Sequence, residues 1–155
     1  MIHSHHMPIE FNREEIEEIF MKAEIVLFDK QNISPINYNN FDYRTFDANN
    51  KDLLKSISGY PIVYCIWAGK SYDTLAPRYI GSAAPKYSRG RIRAHLAYCS
   101  EKTSAKLDRV KKELEAKNTI GLSIVTILPL YMRKALEEWL IEKYLKLLTW
   151  NNGKF

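Results

Sequence analysis

Two tyrosines, an arginine–histidine pair and a pair of glutamates are the residues of this 155-residue chain whose types could do chemistry together. Tyr64 and Tyr79 each lie in a short β-rich run. Arg91 and His95 sit four residues apart in a basic stretch, and Glu137-Glu138 interrupts an apolar stripe that ends shortly before Asn151. Such a set suits hydrolysis of a phosphodiester, which needs an activated water, neutralisation of a pentavalent phosphorus and help for the leaving oxygen. One carboxylate can hold a hard divalent cation whose other ligands are water and phosphate oxygens, so no partner aspartate is required. Arginine offers planar donors that grip nonbridging oxygens and follow the charge as it grows, which lysine does less specifically. A phenol with an ordinary pKa of about 10 is a poor base at neutral pH unless cations or a histidine depress it. Taken singly, each residue has a plainer explanation: a strand tyrosine is core, a helix arginine is solvated, one glutamate of a pair is surface. Only the ordered combination speaks for chemistry.

Charge is distributed to match. Residues 1–60 hold six Lys/Arg against ten Asp/Glu, a net of −4, whereas residues 78–117 hold eleven against four, a net of +7. The overall +5 therefore sits in the middle of the chain, the footprint of a phosphate-backbone binder. Gly81, Lys86, Arg89 and Arg93 are the candidate nucleic-acid-binding residues.

The elements that must position these residues can be read from periodicity and breakers. Asn12 and Glu15 resemble a capping box before Ile16, Ile19, Phe20 and Ala23, which predicts a first helix through the mid-twenties. Residues 31–60 read as an irregular connection with one short strand or helix. Ile62–Trp67 reads as a buried strand and Arg78–Gly81 as its antiparallel hairpin partner, joined by a polar loop. A helix over Ser88–Ala97 follows, then a second capped by Thr103 or Ser104 and broken at Asn118–Gly121. Leu122–Leu128 reads as a strand covered on both faces, and Met132–Leu147 as a long helix ending before Trp150. The expected fold is α/β (α+β): a three-stranded mixed or antiparallel sheet flanked by helices, residues 61–155, behind an N-terminal helical extension, residues 8–60. Met1–Met7 is a His-rich stretch that reads as a cloning leader.

On these residues the chain resembles the GIY-YIG nucleases. Ile62-Val63-Tyr64 and Tyr79-Ile80-Gly81 look like the two halves of that signature, with Ile62 standing where the family has its first glycine. Arg91 and His95 match the arginine and histidine of the family's next helix, and Leu136-Glu137-Glu138-Trp139-Leu140-Ile141 matches its last helix. The resemblance runs from Pro61 to Asn152. It implies catalysis by Tyr64, Tyr79, Arg91, His95, Glu137 and Asn151. Tyr64 is the implied base, Tyr79 its positioner, and Glu137 the ligand of magnesium, or of manganese in its place. Glu138 competes with Glu137 for that role, and Asn152 with Asn151.

The implied activity is metal-dependent cleavage of DNA, double-stranded by expectation, by a restriction-type enzyme. A structure-specific or repair nuclease is the alternative, and a non-catalytic nucleic-acid-binding module on the same fold is the rival class. Cutting both strands with one site per chain calls for a homodimer or two encounters. Cys65 and Cys99 form no CxxC pair and have no histidine at ligand spacing, which speaks for reduced thiols rather than a zinc site. No apolar run approaches a membrane span, so the expected protein is cytoplasmic with no membrane partner. Trp139 falls on an apolar stripe and reads as core, leaving Trp150 as the candidate for base stacking.

Overall fold

The computed structural model describes residues 8–39, 43–98 and 106–151. In chain order the elements are α1 (Arg13–Phe28), β1 (Ser34–Pro35), α2 (Tyr43–Asn49), α3 (Lys51–Ile57), β2 (Ile62–Gly69), β3 (Ala76–Ala83), α4 (Ser88–Leu96), α5 (Leu107–Glu115), β4 (Thr119–Val125) and α6 (Met132–Lys143). Short 3-10 turns lie at Lys30–Asn32, Tyr72–Thr74 and Thr149–Asn151. The sheet has the order β1-β4-β2-β3, and every pairing is antiparallel.

Strand β2 is central, and every residue from Ile62 to Ala68 is buried, which is why its sequence is almost continuously apolar. Its alternate side chains feed two cores. Ile62, Tyr64 and Ile66 join Phe46, Leu54, Ile92, Leu96 and Val110, contributed by α2 to α5. Val63, Cys65 and Trp67 join Phe20, Leu27, Leu136 and Leu140, contributed by α1 and α6. Each fully buried aliphatic side chain of this kind stabilises by roughly 1.5–3 kcal/mol. Strand β3 carries one extra residue, Arg78, where the register passes from Ile66 opposite Tyr79 to Trp67 opposite Pro77.

The architecture corrects the sequence reading in four places. The expected three strands are four, because Ser34–Pro35 pairs with Leu122 and Gly121 of β4; two residues ending in proline have no period to read. The supposedly irregular stretch before Pro61 holds two helices, α2 and α3, each only seven residues long and below the window in which helical periodicity shows. Gly121 does not break a helix but lies inside β4, where a Cβ would come 2.6 Å from Cγ2 of Ile33. The reversal is made earlier, by Lys117 at φ 61. Helix α6 ends at Lys143, so Tyr144 and Leu147 belong to the turn beyond it. Asn12 does cap α1, its Oδ1 accepting the Glu15 N–H at 3.3 Å. The His-rich start, Cys99 and the Thr103/Ser104 cap lie outside the described residues. Among those described, no helix is long and apolar enough to cross a membrane.

Candidate active site

Hairpin register creates the centre of the site. Tyr64 of β2 stands directly opposite Gly81 of β3, and its ring crosses the neighbouring strand so closely that a Cβ on residue 81 would lie 2.5 Å from the phenol oxygen and 2.6 Å from Cζ. Gly81 is thus a requirement of Tyr64. Tyr79, two residues earlier and on the same face, places its ring centroid 6.2 Å from that of Tyr64 and 5.0 Å from that of His95. Helix α4 supplies His95 from its last turn, fully buried, and anchors its own start by Ser88, whose hydroxyl donates to the Ile57 carbonyl at 2.9 Å.

His95 is oriented from both sides. Nε2 lies 2.7 Å from the Tyr64 hydroxyl, and Nδ1 accepts the backbone N–H of Lys106 at 3.0 Å. A backbone N–H can only donate, so Nδ1 carries a lone pair and a neutral ring holds its proton on Nε2. The imidazole is therefore the donor to Tyr64. Burial pushes the Tyr64 phenol well above its ordinary value of 10.0, and the neighbouring Tyr79 adds to this; the charge of Arg91 and its hydrogen bond to the phenol pull the other way. Arg91 itself is half-buried on α4. The Lys106 ammonium lies 5.5 Å from the centroid of the Tyr79 ring.

Glu137 comes from α6, on the other face of the sheet from the Tyr64 ring, yet near enough for its charge to act on the Tyr64 phenol. It is buried, and its Oε2 accepts from the Ser82 hydroxyl at 2.5 Å and faces the Lys134 ammonium at 3.4 Å. Glu138 is exposed, so helix phase turns Glu137 inward and Glu138 outward. Gly81 and Ser82 thus serve two partners in succession, one making room for Tyr64 and the next holding Glu137. A carboxylate flanked by a hydroxyl is an all-oxygen donor pair that fits a hard divalent cation taking its other ligands from water and phosphate. No group of three or more His, Cys, Asp or Glu side chains gathers among the described residues.

Other predicted residues have different occupations. The Asn151 amide pairs with the backbone of Ile80 in both directions, at 2.8 and 2.9 Å, and so clamps the C-terminal turn onto β3; Asn152 lies outside the described residues. Trp150 is buried in the same core as Tyr64 and offers no stacking face, because the turn that Asn151 fixes carries it inward. Trp139 packs against Phe20, ring centroids 5.6 Å apart. Arg93 and Arg89 are both drawn to Asp47 of α2, at 2.8 and 3.5 Å, so part of the basic surface is neutralised by a segment with no chemical signature in the sequence. Lys86 is exposed, its ammonium 5.6 Å from the centroid of the Tyr87 ring.

Sequence reasoning missed Ser82 as a partner of Glu137, although its place beside Gly81 was a signal. It also missed Lys134, one helical turn before Glu137. Lys106 could not be found, because it acts through its backbone. No family model, curated protein or solved structure matches the chain.

Proposed function

We propose that this chain is a metal-dependent endonuclease of the GIY-YIG type that hydrolyses phosphodiester bonds of DNA. The observation that supports it most is the convergence of Tyr64, Tyr79, His95 and Arg91 on one face of the hairpin, with Glu137 approaching through Ser82. Arg91 grips nonbridging oxygens of the scissile phosphate and bears the growing negative charge. Tyr64 first gives up its own proton to bulk solvent and then, as the phenolate, takes the proton of the attacking water. His95 donates through Nε2–H to the phenol oxygen and so stabilises the phenolate rather than collecting its proton. Because burial works against that phenolate, the cations around it must favour it: Arg91 does so within the chain. Glu137, with Ser82, would hold magnesium, which supplies polarisation of the phosphate and stabilisation of the leaving oxygen. Asn151 is assigned to holding β3 in place rather than to the reacting atoms.

The test is cleavage of supercoiled plasmid by the purified chain. Nicked or linear product with magnesium or manganese and none in excess chelator is the expected result; robust cleavage in chelator refutes the metal-dependent reading. A binding module without catalysis is the second reading, favoured by the Lys134 ammonium already lying on the Glu137 carboxylate. Tight DNA binding without turnover under any divalent ion would select it.

A further inference from the structure

Tyr87 directly precedes α4 and is 61% exposed, unusual company for a site whose other aromatic rings are buried. With Lys86, Gly90, Arg91 and Ala94 it lines a cavity of about 310 Å³. That is the lower end of the roughly 300–1,000 Å³ of pockets that take small organic groups. Its floor is small and open, since a Cβ on Gly90 would meet nothing within 4 Å. Single exposed aromatic residues are common on protein surfaces, so exposure alone decides nothing. What distinguishes Tyr87 is that its cavity shares Arg91 with Tyr64.

A phosphate held by Arg91 brings its attached nucleoside beside this cavity. The cavity offers an aromatic face for a base and, in Lys86 and Arg91, two cations for the backbone on either side. We propose that Tyr87 is a stacking platform for a nucleobase adjacent to the phosphate that Arg91 holds. The Lys86 ammonium lies over the Tyr87 ring, so the base takes the opposite face. A base inside a duplex has both of its faces covered by its neighbours. The site therefore takes an unstacked nucleotide, either in single-stranded DNA or turned out of the helix. This deepens the nuclease reading and rests on it, and it moves the stacking role sought in buried Trp150 to Tyr87.

The test compares a dye-labelled single-stranded oligodeoxynucleotide with an abasic strand of the same length, by fluorescence anisotropy in chelator. Phosphate charge is equal in the two probes, so the electrostatic contribution cancels and only the bases differ. Wild type should bind the base-bearing strand at least about fivefold tighter, the smallest effect expected of one stacked base. Tyr87→Ala should lose most of that preference while abasic binding is unchanged, and Tyr87→Phe and Tyr87→Trp should keep it. Because Tyr87 is exposed, its truncation leaves no core cavity, and unchanged thermal unfolding verifies this. A preference that persists in Tyr87→Ala, or is missing from the wild type, overturns the platform whatever the cleavage assay gives. Absence of magnesium-dependent cleavage overturns the nuclease reading while a Tyr87-dependent preference stands. Failure of both strands to bind overturns both.

Discussion

The Tyr64 hydroxyl lies 2.7 Å from Nε2 of His95 while Nδ1 of the same ring accepts the backbone N–H of Lys106 at 3.0 Å. Because the second bond comes from the main chain, no substitution at position 106 other than proline removes it. The direct consequence is a fixed tautomer. Two-bond ¹⁵N–¹H correlation spectra of the labelled protein, taken where the imidazole is neutral, should show His95 protonated at Nε2 and bare at Nδ1. A proton on Nδ1 would contradict the donor role toward Tyr64 and return His95 to the part of proton acceptor.

Gly81→Ala tests the close approach of the two strands. The new Cβ would come 2.5 Å from the oxygen and 2.6 Å from Cζ of a fully buried ring that has no room to retreat. Overpacking of this kind costs about 1–3 kcal/mol, read from denaturant unfolding. In a Tyr64→Phe background the oxygen contact is gone but the Cζ contact remains, so the substitution should cost less without becoming neutral. Strict additivity of the two changes would mean that the strands separate instead of the ring yielding.

What was legible in the sequence follows from the length scale of each signal. The hairpin and the inward face of α6 are long regular elements, and periodicity placed Tyr64, Tyr79 and Glu137 on them correctly as residues of strand, strand and helix. Strand β1, α2 and α3 fall below any periodic window, so their contribution, including Asp47, was invisible. The surroundings of Asn151 and Trp150 were not legible because a 3-10 turn three residues long decides which way they face, and composition does not encode that. The backbone of Lys106 is beyond any reading by residue type.

Asp47 offers a test through charge. It holds Arg93 at 2.8 Å and Arg89 at 3.5 Å on the basic helix. Asp47→Asn removes the carboxylate charge that both guanidinium groups face and leaves more of their charge for phosphates. DNA binding should tighten, and the slope of log affinity against log salt should steepen by up to roughly 1.4–1.8, two contacts at 0.7–0.9 each. An unchanged slope would mean that the two arginines face no phosphate.

Alkaline stability should report the buried phenols. Burial pushes both Tyr64 and Tyr38 above their ordinary value, so the unfolded chain loses these protons first. Their contribution is complete below pH of about 10, the unfolded value, and declines as pH rises from there toward the folded value. The decline is at most about 1.4 kcal/mol per pH unit for each group. Tyr64→Phe should flatten the fall in denaturant midpoint above pH of about 10 by one group's share. A fall as steep as wild type would show that Tyr64 ionises in the folded protein like a free phenol.

Under the proposed mechanism, substitution of Glu137 separates catalysis from binding, and its neighbours decide how. The carboxylate is buried between the Ser82 hydroxyl and the Lys134 ammonium, whereas Glu138 is exposed. Glu137→Ala should lower the metal-dependent cleavage rate by at least about a hundredfold, because loss of a metal's stabilisation of the transition state costs several kcal/mol. DNA affinity in chelator should survive or rise slightly, since a negative charge has gone and the basic helix is untouched. Glu138→Ala should be close to wild type in both. Lys134→Ala removes a cation that competes with the metal at Oε2, so half-maximal activity should come at lower magnesium. Ser82→Ala should raise the magnesium requirement, having lost the hydroxyl that orients the same oxygen. Arg91→Ala, by contrast, should damage rate and binding together. If Glu138→Ala stops cleavage and Glu137→Ala does not, the buried carboxylate serves packing between α6 and β3. If neither change affects turnover, the metal is held by other residues.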